Sequence, residues 1–381
     1  MDLIYWVLTA VVLVVLLAII GLWRLLSWQQ KPDANYVETF IRKHPARSSL
    51  LVTINGETLV EEQADEPRHL ASTVKIIVAI EYAEQAANGD VDPSERIAIA
   101  DLARFHIPQT DGGAHPSWLT DVEANDRLQE GAVSLEDVAK GMISHSSNAN
   151  TEYLLMRLGI EQVNRHRERL GLSNHDRIVP FVSSMIIPYE VAKANDLKIF
   201  DKEDAKRIPA LMDAMSSEAY EQQALTIHEK LKNDQDGSYK DNVKLHAWHN
   251  QKLDQIVSKR DTRSTVREYA SIMQKINSDG YFAKEVQDHL QPVLEGWLLN
   301  NSKKRSAFTR LGGKGGSTSY IVTFALYAED KQGNRTEVAA FFNDVLGYET
   351  IKLENSILAF QLDVVGNDAR RAELVRQFGG E

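Results

Sequence analysis

Ser72-Thr73-Val74-Lys75 sets a serine hydroxyl and a lysine amine three residues apart, at the head of a stretch from Leu70 to Ala86. In that stretch Val74, Ile77, Val78, Ile80 and Ala83 recur at helical spacing. Residues three apart share a helix face, so the Lys75 amine can reach the Ser72 hydroxyl, and a desolvated lysine can take the proton that a serine must lose to attack a carbonyl. The same four residues also describe an ordinary helix start with a surface lysine. Ser146-Ser147-Asn148 falls in a break between helical segments, where serine and asparagine also serve as caps and turn residues. A third segment, Gly312-Gly313-Lys314-Gly315-Gly316-Ser317-Thr318-Ser319-Tyr320, is rich in glycine, carries a lysine and leads into a β-rich run. A phosphate loop needs G-x-x-x-x-G-K-[ST] opening a helix; here the lysine precedes glycines and opens a strand, which argues against phosphate.

The elements that must position these groups follow from periodicity. Tyr36 to His44 is amphipathic, and Ser49 to Asn55 and Thr58 to Glu62 flank Gly56 as two short strands. Helical patterning covers residues 131 to 171, broken at His145 to Asn150, and returns at 262 to 277 and 283 to 299. Tyr320 to Tyr327 and Glu337 to Phe342 are β-rich and joined by a polar turn, and Ile351 to Val364 reads as a final helix. The order predicts an α+β arrangement whose sheet is built from the chain's two ends, about 34–70 and 300–370, around a helical part from about 71 to 299.

Leu3 to Trp23 is a run without a charge, which at about 1.5 Å per residue is long enough for a hydrocarbon core. It reads as a transmembrane anchor within residues 1–30, ahead of a folded part from 31 to 381. A signal peptide is the competing reading, but there is no basic leader and no A-x-A-like cleavage site. Tyr5, Trp6, Trp23 and Trp28 fall near the two ends, as interfacial aromatics do. Arg24, Lys31, Arg42 and Lys43 follow the run and Asp2 precedes it, so the positive-inside rule alone would hold the large part in the cytoplasm. The chain has 381 residues, no cysteine and a formal charge of −11. Disulfides, thiol catalysis and Cys-ligated zinc are therefore excluded, and nucleic acid, which calls for concentrated Lys and Arg, is not an expected partner.

Taken in order, S-x-x-K, S-x-N and K-x-G resemble the active-site set of the penicillin-recognising serine hydrolases, the class A β-lactamases and penicillin-binding proteins. The resemblance covers roughly residues 34 to 370. It implies a β-lactamase/transpeptidase-like fold: an antiparallel sheet flanked by N- and C-terminal helices, plus an all-helical domain. It implies that Ser72 is the acylated nucleophile, Lys75 its general base, and Ser146 the relay of a proton to the leaving nitrogen. Asn148 and Lys314 would hold the substrate, Gly316 would let it approach the strand, and the N–H groups of Ser72 and Ser317 would form the oxyanion hole. The substrate would be a β-lactam or a peptidoglycan peptide, no cofactor or metal would be needed, and the catalytic domain would lie on the periplasmic or extracellular side of the cell membrane. That placement conflicts with the charge rule above.

His175 to Pro188 is similar to the family's Ω-loop, which opens with an Asp-Arg pair, here Asp176-Arg177. The family's deacylating glutamate is replaced by Val179, its supporting asparagine by Ser183, and the Ser or Thr after the motif lysine by Gly315. Acylation is thus expected without fast hydrolysis of the acyl-enzyme. Glu190 is the one nearby carboxylate that could substitute for the missing base if the loop folded unusually. The alternative is a sensor or scaffold that binds without turnover. A polar stretch near 190–258 is surplus to the family length and reads as a solvated elaboration, or else as a lid or protein-partner surface. Phe105 to Trp118 is expected to line one wall of the cleft, with His106, Asp111 and His115 at spacings that fit no standard metal site.

Overall fold

The computed structural model describes residues 2–108 and 110–379, with side chains from Tyr5 onward. Five strands form one antiparallel sheet: β1 (Ser48–Ile54), β2 (Glu57–Glu62), β3 (Phe308–Ser317), β4 (Ile321–Asp330) and β5 (Arg335–Asn343), in the order β2-β1-β5-β4-β3. The chain's two ends meet in it, with Leu51 opposite Ala339, and Lys314 of β3 lies opposite Ala325 of β4. β3 is therefore an edge strand, and one row of its backbone groups is free of sheet pairing.

Both faces of the sheet are covered, and the three central strands β1, β5 and β4 carry buried apolar residues on each side of the pleat. Val37, Phe40, Ile41, Leu353, Ile357 and Phe360 of helices Ala34–Lys43 and Tyr348–Gly366 pack with Leu50, Val52, Phe324 and Phe342 in one core. Tyr269, Ile272 and Met273 of helix Val266–Asn277 pack with Tyr327, Ala339 and Phe341 in a second, which continues into the helical part. At its centre lies helix Lys75–Asn88, in which every residue from Lys75 to Ala83 is buried, as in a helix surrounded by others. The expected antiparallel sheet, terminal helices and all-helical region are all present. So is an N-terminal helix, Asp2–Gln30, with no buried residue in its apolar window.

Two features differ from the periodicity. Phe308–Ser317 is a strand in spite of its four glycines, and the strand pattern therefore starts well before Tyr320. The segment resembling an Ω-loop is irregular only as far as Pro180, and Phe181–Ala194 is a helix. Asp176 N–H donates to Arg263 O at 2.8 Å and Thr262 Oγ1 to Arg177 O at 3.2 Å. Residues 178–261 are thus one excursion whose two ends lie side by side. The surplus near 190–258 lies inside it and is not a solvated elaboration. Ile208, Met212, Tyr220, Ala224, Ile227 and Leu231 are buried, in helices Ile208–Asp213 and Ser217–Asn233.

Candidate active site

Ser72 sits in a 3-10 turn, Ala71–Val74, that runs into helix Lys75–Asn88. The turn is held from three directions. Ala71 has φ 45°, a left-handed conformation that costs a non-glycine residue about 1–3 kcal/mol, and its N–H donates to Asp261 Oδ2 at 2.6 Å. Leu70 N–H donates to Thr262 O at 3.0 Å. From the sheet, Thr323 Oγ1 donates to Leu70 O at 2.6 Å and lies 2.8 Å from Thr73 Oγ1. Ser72 itself is partly exposed and lines the cleft.

Lys75 is fully buried, and its Nζ reaches Ser146 O at 2.7 Å, Asn148 Oδ1 at 2.8 Å and Ser146 Oγ at 3.2 Å. The S-x-N turn is shaped for this contact: Ser146 has φ 65°, and Ser147 caps helix Asn148–Leu158 by accepting from Asn150 N–H. Burial, and then the Lys314 charge, push the Lys75 amine well below its ordinary range, while Asp111 and Asp261 act in the opposite direction. A neutral amine offers two donors and a lone pair. It can donate to Ser146 O and Asn148 Oδ1 while accepting from the Ser146 hydroxyl. The sequence spacing predicts a contact between Lys75 and Ser72, but among the described residues Ser72 Oγ has no hydrogen bond. The amine is tied to Ser146 and Asn148, an arrangement that can tighten onto the nucleophile once substrate fills the cleft.

β3 closes the opposite side. The Gly316 backbone lies so close to the serine turn that an added Cβ would stand 2.3 Å from Ser72 N and 2.7 Å from Thr73 N. A Cβ on Gly315 would meet the Phe324 ring at 2.5 Å, so that ring occupies the space a Ser or Thr side chain would need. Lys314 is buried, its Nζ donates to Gly315 O at 2.6 Å, and burial pushes its amine down to about 7. Ser317 Oγ donates to Glu354 Oε1 at 2.7 Å and so ties the end of the strand to helix Tyr348–Gly366. The structure therefore brings Ser72, Ser146, Asn148, Lys314, Gly316 and Ser317 around one cleft of about 1240 Å³, with Lys75 buried behind Ser146 and Asn148.

The remaining walls come from segments with weaker sequence signals. Thr110, Asp111 and Gly113 line the cleft from the 105–118 segment, which is pinned by His115 Nδ1 lying 2.9 Å from Ser147 Oγ. Burial pushes the His115 imidazole down to about 4, leaving it neutral at pH 7. Val179 and Phe181 line the cleft where the family's acid would stand, and Lys75 Nζ lies 5.3 Å from the centre of the Phe181 ring. Ser183 turns away and donates to the buried Glu152. Asp176 pairs with Arg263, and Arg177 with Glu161 and Glu221, instead of with each other. Glu190 accepts from Tyr239 Oη at 2.7 Å and pairs with Lys230 at 2.8 Å; it does not line the cleft, which removes it as a replacement base. The excursion also supplies Tyr220, His249, Asp254 and Ser258 to the cleft.

Asp261 escaped the sequence reading. It lines the cleft, accepts from the residue preceding Ser72, and burial pushes its carboxyl up to about 6. No local pattern marks it, since its partners are brought to it by tertiary structure alone.

A cleft between the edge of an antiparallel sheet and a helical region, with a serine on a helix-opening turn, defines the β-lactamase/transpeptidase-like class. The model of the β-lactamase enzyme family matches residues 34–296, more than half of the chain, and the chain belongs to that family. Among solved structures, the β-lactamase from Sphaerobacter thermophilus DSM 20745 is similar at TM-score 0.52 and 18% identity, over 88% of this chain and 98% of that one. A β-lactamase from Chitinophaga pinensis DSM 2588 has TM-score 0.51 and 13% identity, over 86% of this chain and 99% of its own. The TLA-3 extended-spectrum β-lactamase has TM-score 0.50 and 12% identity, over 87% and 98%. At these identities the likeness establishes the fold. No curated protein matches the sequence.

Proposed function

We propose that the chain is a membrane-anchored serine hydrolase of the β-lactamase and penicillin-binding type, which forms an acyl-enzyme on Ser72 with a β-lactam or peptide amide and deacylates slowly. The observation that carries the reading is the buried Lys75 amine, which bridges Ser146 and Asn148 one turn from Ser72 and lies near enough to Lys314 to be depressed by its charge. In the reaction, neutral Lys75 takes the Ser72 proton and Oγ adds to the carbonyl carbon. The N–H groups of Ser72 and Ser317 hold the oxyanion, and Ser146 passes a proton to the leaving nitrogen as the C–N bond breaks. Hydrolysis of the ester needs a base for water. Val179 cannot serve, and Phe181 places an apolar ring beside Lys75. This same observation favours a second reading, a sensor that stays acylated.

Intact mass of the full chain in detergent, followed over time with a reactive penicillin, tests the proposal. The wild type is expected to gain one penicillin and hold it, and Ser72→Ala to gain none. Lack of an adduct with either penicillin or an activated ester would overturn the reading.

We also infer that residues 2–30 stay attached as an anchor. Lys352 Nζ donates to Trp28 O at 2.8 Å and to Lys31 O at 2.7 Å, and Asn355 Nδ2 to Gln29 O at 3.2 Å, so the end of the helix is bound to the domain as a cleaved leader need not be. A cell-wall substrate requires the domain outside the cytoplasm. A reporter fused at the C-terminus that is active only in the cytoplasm would refute that side.

A further inference from the structure

Outside the first thirty residues, the described residues expose six large apolar side chains, and three of them, Leu346, Tyr348 and Ile351, fall within six positions. Tyr348 lies beside the end of the N-terminal helix, with Leu346 and Ile351 two and three positions away along the chain: the Tyr348 and Trp28 rings are 6.2 Å apart, and Lys352 stands over the Trp28 ring at 4.7 Å while bonding to the carbonyls of Trp28 and Lys31. The uncharged run ends at Trp23, five residues before Trp28, a rise of about 7 Å along the helix. The headgroup layer on each side of a hydrocarbon core is about 5–8 Å deep. Trp28 and the rings and branches around it therefore stand at headgroup depth, where Trp and Tyr are favoured and where exposed Leu and Ile gain by leaving water.

The geometry points to a second membrane contact: residues 346–351 seat in the headgroup layer of the bilayer that the N-terminal helix crosses. The proposal rests on the reading of residues 2–30 as an anchor. Its occupant is the lipid surface, because the patch is continuous with the spanning helix. It is held there by hydrogen bonds from Lys352 and Asn355 to backbone carbonyls, with Asp33 N–H donating to Ser356 Oγ at 3.0 Å on the same helix. The contact has a consequence for the site. Ile357 of that helix lines the cleft, and nine residues separate it from Tyr348, about 13 Å along the axis. A domain docked in this way does not swing on a free tether, and its cleft wall stands at a fixed short height above the lipid.

The chain has no cysteine, so single labels are simple to place. Full-length Leu346→Cys and Ile351→Cys, with Leu13→Cys as a reference inside the span and Tyr281→Cys on a remote exposed site, would each carry an environment-sensitive fluorophore. They would be reconstituted into phosphatidylcholine/phosphatidylglycerol vesicles with and without lipid bearing a nitroxide near the headgroup or, for position 13, near the end of an acyl chain. The expected result is quenching at 346 and 351 several-fold above that at 281, with 13 quenched as well. Quenching at 346 and 351 no greater than at 281, with 13 quenched, overturns the docking and leaves the anchor standing. Absence of quenching at all four sites overturns both. Leu346→Glu combined with Ile351→Glu in a labelled Tyr348→Cys chain gives a second reading, in which quenching at 348 is expected to fall.

Discussion

At the residue scale, two lysines in one cleft are driven in the same direction for unequal purposes. Burial and the neighbouring Lys314 depress Lys75, which in the proposed reaction must be neutral to take the Ser72 proton, and burial brings Lys314 down to about 7, although in that reaction its charge is what an anionic substrate would meet. The acylation rate should therefore rise with pH as Lys75 loses its proton and fall as Lys314 loses its own, a bell whose basic limb lies near 7 in the free protein. Stopped-flow acylation by a carboxylate-bearing penicillin across pH 5–9 checks it. Lys314→Arg, which stays charged, is expected to move the basic limb out of range, and Lys75→Met to slow acylation by ~10²–10⁴-fold at every pH. A flat profile in the wild type would show that neither amine titrates in the reaction. The residues of this pair were legible because S-x-x-K, S-x-N and K-x-G are local patterns, each readable within a few positions. Asp261 and Phe181 act on the same atoms from residues far along the chain, and no spacing rule connects them to Ser72.

At the element scale, β3 works because it is nearly bare. Glycine is a poor strand former, so periodicity marks a β-rich run only from Tyr320, although the motif lysine reads as opening a strand. The structure shows what the glycines permit: Gly316 lies against backbone atoms of the serine turn, namely Ser72 N, Thr73 N and Leu70 O, none of which can rotate away. Gly316→Ala is accordingly expected to cost about 1–3 kcal/mol of stability, as overpacking does, and to slow acylation by pushing the turn off its strand. Ser317→Ala, one position along and bonded only to Glu354 through its side chain, should stay within about 0.5 kcal/mol of wild type. Thermal melting with acylation rates measured on both variants decides the matter; equal effects would mean that close approach is not what the glycine provides. Of the excursion 178–261, the start read as similar to an Ω-loop and the part near 190–258 only as surplus length and polarity. Its buried side chains alternate with charged ones at helical spacing, so average composition hid an amphipathic wall.

At the scale of the whole molecule, the N-terminal helix and the fold are one object, since helix Tyr348–Gly366 holds the N-terminal helix on one side and lines the cleft on another. The uncharged run itself was plain in the sequence. Its attachment was not, because it depends on Lys352 finding backbone carbonyls more than 300 residues away. Lys352 is 1% exposed, so it cannot exchange those carbonyls freely for water. A chain starting at Pro32 keeps Asp33 as the cap of helix Ala34–Lys43 but loses the carbonyls of Trp28, Gln29 and Lys31. The same truncation removes the Trp28 ring that covers the Lys352 amine, so water replaces the carbonyls and the loss is that of the hydrogen bonds themselves, about 0.5–1.5 kcal/mol each. In a domain this large each kcal/mol corresponds to roughly 2–4 °C in Tm. The chain starting at Pro32 should therefore melt several degrees below one starting at Ser27, which retains all three carbonyls. Lys352→Met, which removes the amine and keeps the length of the side chain, should destabilise the longer chain and leave the shorter one little changed. This dependence on background separates the lost contacts of Lys352 from simple fraying of the new terminus, which would lower the melting point alike whatever stands at position 352.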